Sequence, residues 1–135
     1  MASNKIIRVG PVALTTTTTT NILNPPTLTG GTGLAGTNTN TYLILRHIRV
    51  TNKTASAAQV ALWLSTTGDN GAGKEVIWGG VASAGALTRG VSIAAQSYVD
   101  WYGYLRMDVV DFLVGGSDTA TALTIEGEGE IGIVS

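Results

Sequence analysis

Tyr42–Leu64, YLILRHIRVTNKTASAAQVALWL, reads as two β-strands joined by a polar turn. In the first strand Ile44, Ile48 and Val50 share one face of a period-two pattern, and in the second Val60, Leu62 and Leu64 do the same. Between them, Thr51 to Ala58 is small, polar and turn-like. Two such strands do not stand alone, because the apolar face of each needs a partner sheet. On this alternation Trp63 points away from the core, and His47 shares a face with Leu45 and Arg49.

The rest of the chain reads as material for completing that sheet. Ala122 to Val134 alternates cleanly: Leu123, Ile125, Ile131 and Ile133 fall on one face, and Glu126, Glu128 and Glu130 on the other, with Gly127 and Gly129 between them. The three carboxylates stand about 7 Å apart along the strand. They form a solvated face, or a rail that meets Arg or Lys of a neighbouring subunit, or the chain's own Lys5 and Arg8 if the terminal strands pair. Lys5 to Leu14 contains Gly10-Pro11; Pro11 removes a ladder donor, so residues 1–14 read as an edge strand or an extended N-terminal arm. Such an arm could add a strand to a neighbour.

Thr15 to Thr20 is β-branched throughout and is expected to be a strand running into Asn21-Ile22-Leu23. Residues 24–41, NPPTLTGGTGLAGTNTNT, form a long Gly/Pro/Thr-rich loop of the kind that is functional or docked on a partner. Lys74–Val81, Val91–Ala95, Tyr98–Leu105 and Val109–Val114 are further strand candidates. Ala82–Arg89 reads as a small-residue linker, and Gly115-Gly116-Ser117-Asp118 as a turn. No segment carries a capped helical period. The pattern predicts an all-β, single-domain antiparallel β-sandwich, jelly-roll-like, spanning 15–135 behind the N-terminal arm.

Composition narrows the function classes. The chain has 135 residues, a net charge of -1, 13% charged and 44% hydrophobic residues, and no cysteine. This suits one domain. It argues against a sequence-independent nucleic-acid binder, which needs a basic field. Low charge with high apolar content fits a protein packed against others. No apolar run approaches the ~20 residues of a membrane span, and the apolar part of MASNKIIRVG is too short for a signal peptide. Synthesis and use in the cytosol, or assembly there into something larger, is the expectation.

Chemical motifs are absent or incomplete. Gly68 to Lys74 matches GxxxxGK, but Glu75 stands where magnesium binding needs Ser or Thr, and EVIWGGV after it is not helical. Gly31, Gly33 and Gly36 match GxGxxG without a strand before or a helix after. Asp69-Asn70-Gly71 lacks the further ligands of a calcium loop. A row of glutamates on one strand does not provide the opposed carboxylates of a glycosidase. His47 is the only histidine and reads as structural, with no cysteine for a zinc cluster and no GxSxG elbow. No catalytic residue, metal or cofactor is expected, and the protein is read as not an enzyme. Tyr98, Trp101, Tyr102 and Tyr104 cluster, with Trp63 and Trp78 elsewhere; such residues serve as sugar platforms, interface anchors or core.

The segments RHIRVTNKTASAAQVALWLS, GVSIAAQS and LVGGSDTATALTIEGEGEIGIV together resemble small all-β virion proteins of tailed bacteriophages: head decoration (cement) proteins, head fibres and minor tail components. The residues concerned are Val50-Thr51-Asn52 with Ser56-Ala57-Ala58, Val60 to Leu64, Gly90 to Ala95, and Asp118 to Glu128, within about two thirds of the chain. The resemblance implies a β-sandwich that binds other virion proteins and catalyses nothing. The expected role is capsid decoration on the major capsid protein, as a homo-oligomer, with a trimer as the first expectation, at the capsid surface of the virion. A tail, neck or fibre component and a carbohydrate-binding adhesin are the alternatives. The candidate interface residues are Lys5, Arg8, Arg46, Arg49, Trp63, Trp78, Arg89, Trp101, Tyr102, Glu126, Glu128 and Glu130.

Overall fold

The computed structural model describes residues 5–23, 41–83, 86–108 and 110–133. The strands among them are β1 (Lys5–Ala13), β2 (Thr20–Leu23), β3 (Thr41–Asn52), β4 (Ala58–Ser65), β5 (Val81–Ser83), β6 (Ala86–Thr88), β7 (Val91–Ile93), β8 (Tyr98–Met107), β9 (Phe112–Ser117) and β10 (Leu123–Ile133). They form two four-stranded sheets, ordered β1-β10-β3-β8 and β2-β9-β4-β7, and a small hairpin of β5 and β6. Every pairing is antiparallel. Eight strands in this order make a jelly roll, with the β5–β6 hairpin inserted between β4 and β7. Among the described residues no helix is long and apolar enough to cross a membrane.

The core lies between the two sheets. Ile7, Val9, Leu43, Leu45, Ile48, Val50, Leu123 and Ile125 project from the first, and Leu23, Val60, Leu62, Ile93 and Leu113 from the second. Lys5–Ala13 is the edge strand of the first sheet, with the ladder broken between Val9 and Val12 where Pro11 lacks a donor. Residues 24–40 of the long loop lie outside the described residues.

In β3 the buried residues are Leu43, Leu45, Ile48 and Val50, so the inward parity changes midway and Ile44 faces out. The expected Ile44–Ile48–Val50 face is therefore corrected, and His47 is on the opposite face from Leu45. The cause is a fan of β-bulges. Between matched ladder positions, β10 advances two residues (Gly127 to Gly129), β3 three (Leu45 to Ile48) and β8 four (Trp101 to Leu105). One extra residue reverses the facing of all that follow.

Trp63 is also corrected. It does point away from the main core, but it is 0% exposed, packed in a second cluster with Ala61, Leu87, Val114, Ala82 and Phe112. Its cover comes from Ala82 and Leu87, which belong to the paired strands β5 and β6 and not to a linker. Lys74–Val81 is not a regular strand. It runs along β4 through Leu64 N–H to Lys74 O at 2.9 Å and Leu62 N–H to Trp78 O at 2.9 Å, but Ile77 adopts φ 62° and breaks the extended conformation.

Thr15 to Thr19 is a crossover between the sheets and not a strand, and only Thr20 enters β2. Thr15, Thr17 and Thr20 bond one another through hydroxyls (Thr17 N–H to Thr15 Oγ1, 3.1 Å; Thr20 Oγ1 to Thr17 O, 2.7 Å), a local alternative to ladder pairing. The crossover lies against Gly116, where a Cβ would come within 2.6 Å of the Thr18 Cα. That approach explains why Gly115-Gly116-Ser117 is buried strand and not a turn. Asn52, at the end of β3, is 1% exposed. Its Nδ2 faces the carbonyls of Ser56, Ile93 and Ala94, and its Oδ1 accepts from Thr54 N–H. One amide thus ties the β3–β4 turn to the end of β7.

Trp63→Ala leaves a cavity under the β5–β6 hairpin, and a loss of about 3–5 kcal/mol is expected in chemical denaturation. A loss below 1 kcal/mol would mean that the hairpin does not cover the ring in solution.

Candidate functional site

The outer face of the β1-β10-β3-β8 sheet gathers a dense set of charged side chains and the exposed tyrosines Tyr98, Tyr102 and Tyr104. β10 contributes Glu126, Glu128 and Glu130; β3 contributes Arg46, His47 and Arg49; β8 contributes Tyr98, Asp100, Tyr102, Tyr104 and Arg106. They meet because the ladder places Glu128 opposite His47, and His47 opposite Tyr102. The bulge delivers Arg46 and His47 side by side where a regular strand would alternate them.

Arg46 Nη1 donates to Glu130 Oε2 at 2.7 Å and Nη2 to the Tyr104 hydroxyl at 3.2 Å, with its guanidinium 4.7 Å from the Tyr104 ring centroid. Arg49 grips Asp100 with two bonds, Nε to Oδ1 at 2.8 Å and Nη2 to Oδ2 at 3.0 Å, and lies 4.2 Å from the Tyr98 ring centroid. Arg106 stacks on Tyr42 at 4.7 Å and bonds Asp108 at 2.9 Å. The result is a neutral lattice in which each of these three arginines is held by a carboxylate and lies over a tyrosine.

His47 is at its centre. Nδ1 lies 2.6 Å from Glu128 Oε2, Nε2 lies 2.7 Å from Asp100 Oδ1, and the ring stacks on Tyr102 with centroids 4.6 Å apart. Ionised carboxylates only accept, and a neutral imidazole has one donor. Both bonds are made only by the imidazolium. Partial burial lowers the His47 pKa, but bonds to Asp100 and Glu128 outweigh it, and the net shift is upward from 6.5. Asp100 is held down to about 2, chiefly by Arg49 and then by His47. The Arg49 and Arg46 guanidiniums are pushed further up by their carboxylate bonds.

His47, Glu126 and Glu128 can bring one ligand atom each within 4.8 Å of one another. A metal on this set would have to displace the proton that His47 shares with Glu128 or Asp100. Two shallow depressions flank Arg46: one of about 330 Å³ lined by Ile6, Arg46, Glu128, Gly129 and Glu130, and one of about 440 Å³ lined by Arg46, His47, Tyr102, Gly103 and Tyr104. No nucleophile with a general base lines either.

Of the residues expected at an interface, Arg46, Arg49, Tyr102, Glu126, Glu128 and Glu130 come together here. Arg8 is exposed on β1 opposite Glu128. Lys5 stands opposite Ile131, and its side chain lies outside the described residues. Trp63 is core, Trp78 and Trp101 are half-buried against the main core, and Arg89 sits apart in the β6–β7 turn at φ 58°. Arg46 and Arg49 are both paired with carboxylates of the same sheet. Sequence reasoning noted Tyr98 and Tyr104 in the aromatic cluster without placing them among the interface residues, and it passed over Asp100 and the pairing of His47. One signal was present: Gly127 and Gly129 flank Glu128, and glycine within a strand marks a bulge or a close backbone approach. A Cβ on Gly127 would lie 2.5 Å from His47 O, and one on Gly129 would overlap Ile44 O.

No protein family model matches the chain, and no curated protein matches it. Among solved structures it is similar to Eiger TNF from S. frugiperda (11% identity over 98% of this chain and 93% of that one, TM-score 0.42). It is also similar to the Tobacco streak virus coat protein (11%, 96% and 84%, 0.43) and murine APRIL (14%, 96% and 98%, 0.44). At identities this low the likeness is one of fold alone.

The His47 pKa is raised, so its contribution to stability is complete below about 6.5 and fades as pH rises through the folded-state value. Asp100, with its lowered pKa, contributes above about 3.9 and loses that contribution as pH falls through about 2. NMR titration of the single histidine is expected to give a midpoint above 6.5 in the wild type and a lower one in Asp100→Asn. A wild-type midpoint at or below 6.5 would rule out the clamped imidazolium.

Proposed function

We propose that this chain is a non-enzymatic structural protein of a virion, and specifically a capsid decoration protein that binds the major capsid protein and stabilises the head. The observation that carries the reading is the outer face of the β1-β10-β3-β8 sheet. Tyr102 and Tyr104 are 71% and 73% exposed there, and Ile6 is 83% exposed at its border. Tyrosine and arginine are the residue types that anchor interfaces. Here their conformations are fixed in advance by cross-strand pairing, which lowers the entropy cost of docking. The resemblance to phage virion proteins supports the same reading, since its residues coincide with the end of β3, β4, β7 and β10, the framework under this face. The adhesin alternative loses Trp63, which is core, and keeps the half-buried Trp78 and Trp101 and the exposed tyrosines of β8.

Location and copy number in purified virions test the proposal. Decoration requires the protein on heads at a copy number comparable to that of the major capsid protein. A few copies on tails or necks would favour the tail alternative, and absence from virions would reject the whole class. Tyr104→Ala is expected to weaken head binding about tenfold or more, with the thermal midpoint almost unchanged, because the ring is exposed.

A further inference from the structure

β8 has an edge as well as a face. Among the described residues its only ladder partner is β3, so the other side of this ten-residue strand presents unpaired N–H and C=O groups. The strand also holds four of the chain's aromatic residues, Tyr98, Trp101, Tyr102 and Tyr104, out of three Trp, four Tyr and one Phe in all. None of the four is fully buried, and Val99, Trp101 and Leu105 on the core side are only half-covered at the rim of the sandwich.

We propose that β8 is the strand through which two copies of this chain associate, edge to edge and antiparallel, about a two-fold axis at Gly103. The register follows from the strand's own sequence. With the axis at Gly103, residues equidistant from it face each other. Asp100 meets Arg106 of the second copy, Tyr102 meets Tyr104, Trp101 meets Leu105, and Val99 meets Met107. Each pair keeps to its own side of the sheet, with charge and tyrosine outside and apolar groups on the core side. Opposite charges and aromatic pairs directly across a ladder are stabilising, and the two-fold supplies each pair twice. A two-residue slip in one direction sets Asp100 against Tyr104, and in the other against Asp108, a like charge. Only the Gly103 axis combines the charge match with the tyrosine match. Arg106 bonds the exposed Asp108 two residues along and lies over Tyr42, and Asp100 is held by Arg49 and His47, so the cross-axis pair adds a second arginine to a carboxylate already engaged within its own sheet.

The bulge between Tyr102 and Leu105 is the opposing feature, because bulges can twist an edge out of reach of a partner. The association stands or falls independently of any virion role.

The chain contains no cysteine, which gives cross-linking a clean background. Tyr102→Cys and Tyr104→Cys are prepared separately, then oxidised mildly alone and mixed. Directly opposed Cα atoms lie about 5 Å apart, within disulfide reach, whereas same-site pairs lie on the diagonal at about 7–8 Å. The mixture is expected to give a covalent dimer on a non-reducing gel, and each variant alone several-fold less. Arg106→Glu sets like charges across the axis, and it is expected to weaken dimerisation up to about tenfold by sedimentation with an unchanged thermal midpoint. A wild-type monomer at high concentration, a trimer, or a dimer without preferential mixed cross-linking would overturn the proposal.

Discussion

The fan of bulges across β10, β3 and β8 is the constraint on which the rest of the functional face depends. Two residues of β10, three of β3 and four of β8 span the same stretch of ladder. The strands must splay there, and the inner side of the sheet has no room for ordinary side chains. Gly127 and Gly129 leave space for the β3 backbone, and Gly103 leaves space for the Trp101 ring, where a Cβ would fall 2.7 Å from Cζ2. On the outer side the same splay brings Arg46 and His47 out together. A histidine placed between two carboxylates has its pKa raised by those bonds, and Glu128 and Glu130 find partners within the chain.

The second sheet is organised differently. Its outward side is partly closed over by the chain itself, with Ala82 of β5 and Leu87 of β6 packed over Trp63. The two broad faces of the sandwich therefore have different characters. One is covered by a small cluster of its own, and the other is a lattice of paired charge under exposed tyrosines. Low overall charge is consistent with this, because the few charges present are concentrated on one sheet and largely neutralise one another there.

Much of the framework is legible in the residues. The alternation of Leu123, Ile125 and Ile131 against Glu126, Glu128 and Glu130 assigns both faces of β10, and the structure keeps that assignment. The short strands and Gly/Asn/Asp turns indicate a sandwich, and the strand order is that of a jelly roll. The errors have physical causes. TYLIL is apolar at consecutive positions, so its parity is undetermined until the bulge is known. Threonine favours strands through its branched Cβ, but in Thr15–Thr20 the hydroxyls satisfy the backbone locally and make a crossover. Gly115 and Gly116 look like a turn because the crossover that requires them is remote in sequence.

The sequence by itself determined the all-β class, the two faces of β10 and the absence of any recognisable catalytic motif, because these depend on short-range periodicity and on which functional groups exist at all. Only the tertiary structure decided which face carries the site, that Trp63 is core, and that His47 lies between two carboxylates. Each of these depends on a contact between strands far apart in the chain: the hairpin over β4, the bulged register of β3 on β10, and Asp100 and Glu128 meeting across one imidazole. Alternation within a strand carries the side of a residue, but not what the neighbouring strand places beside it.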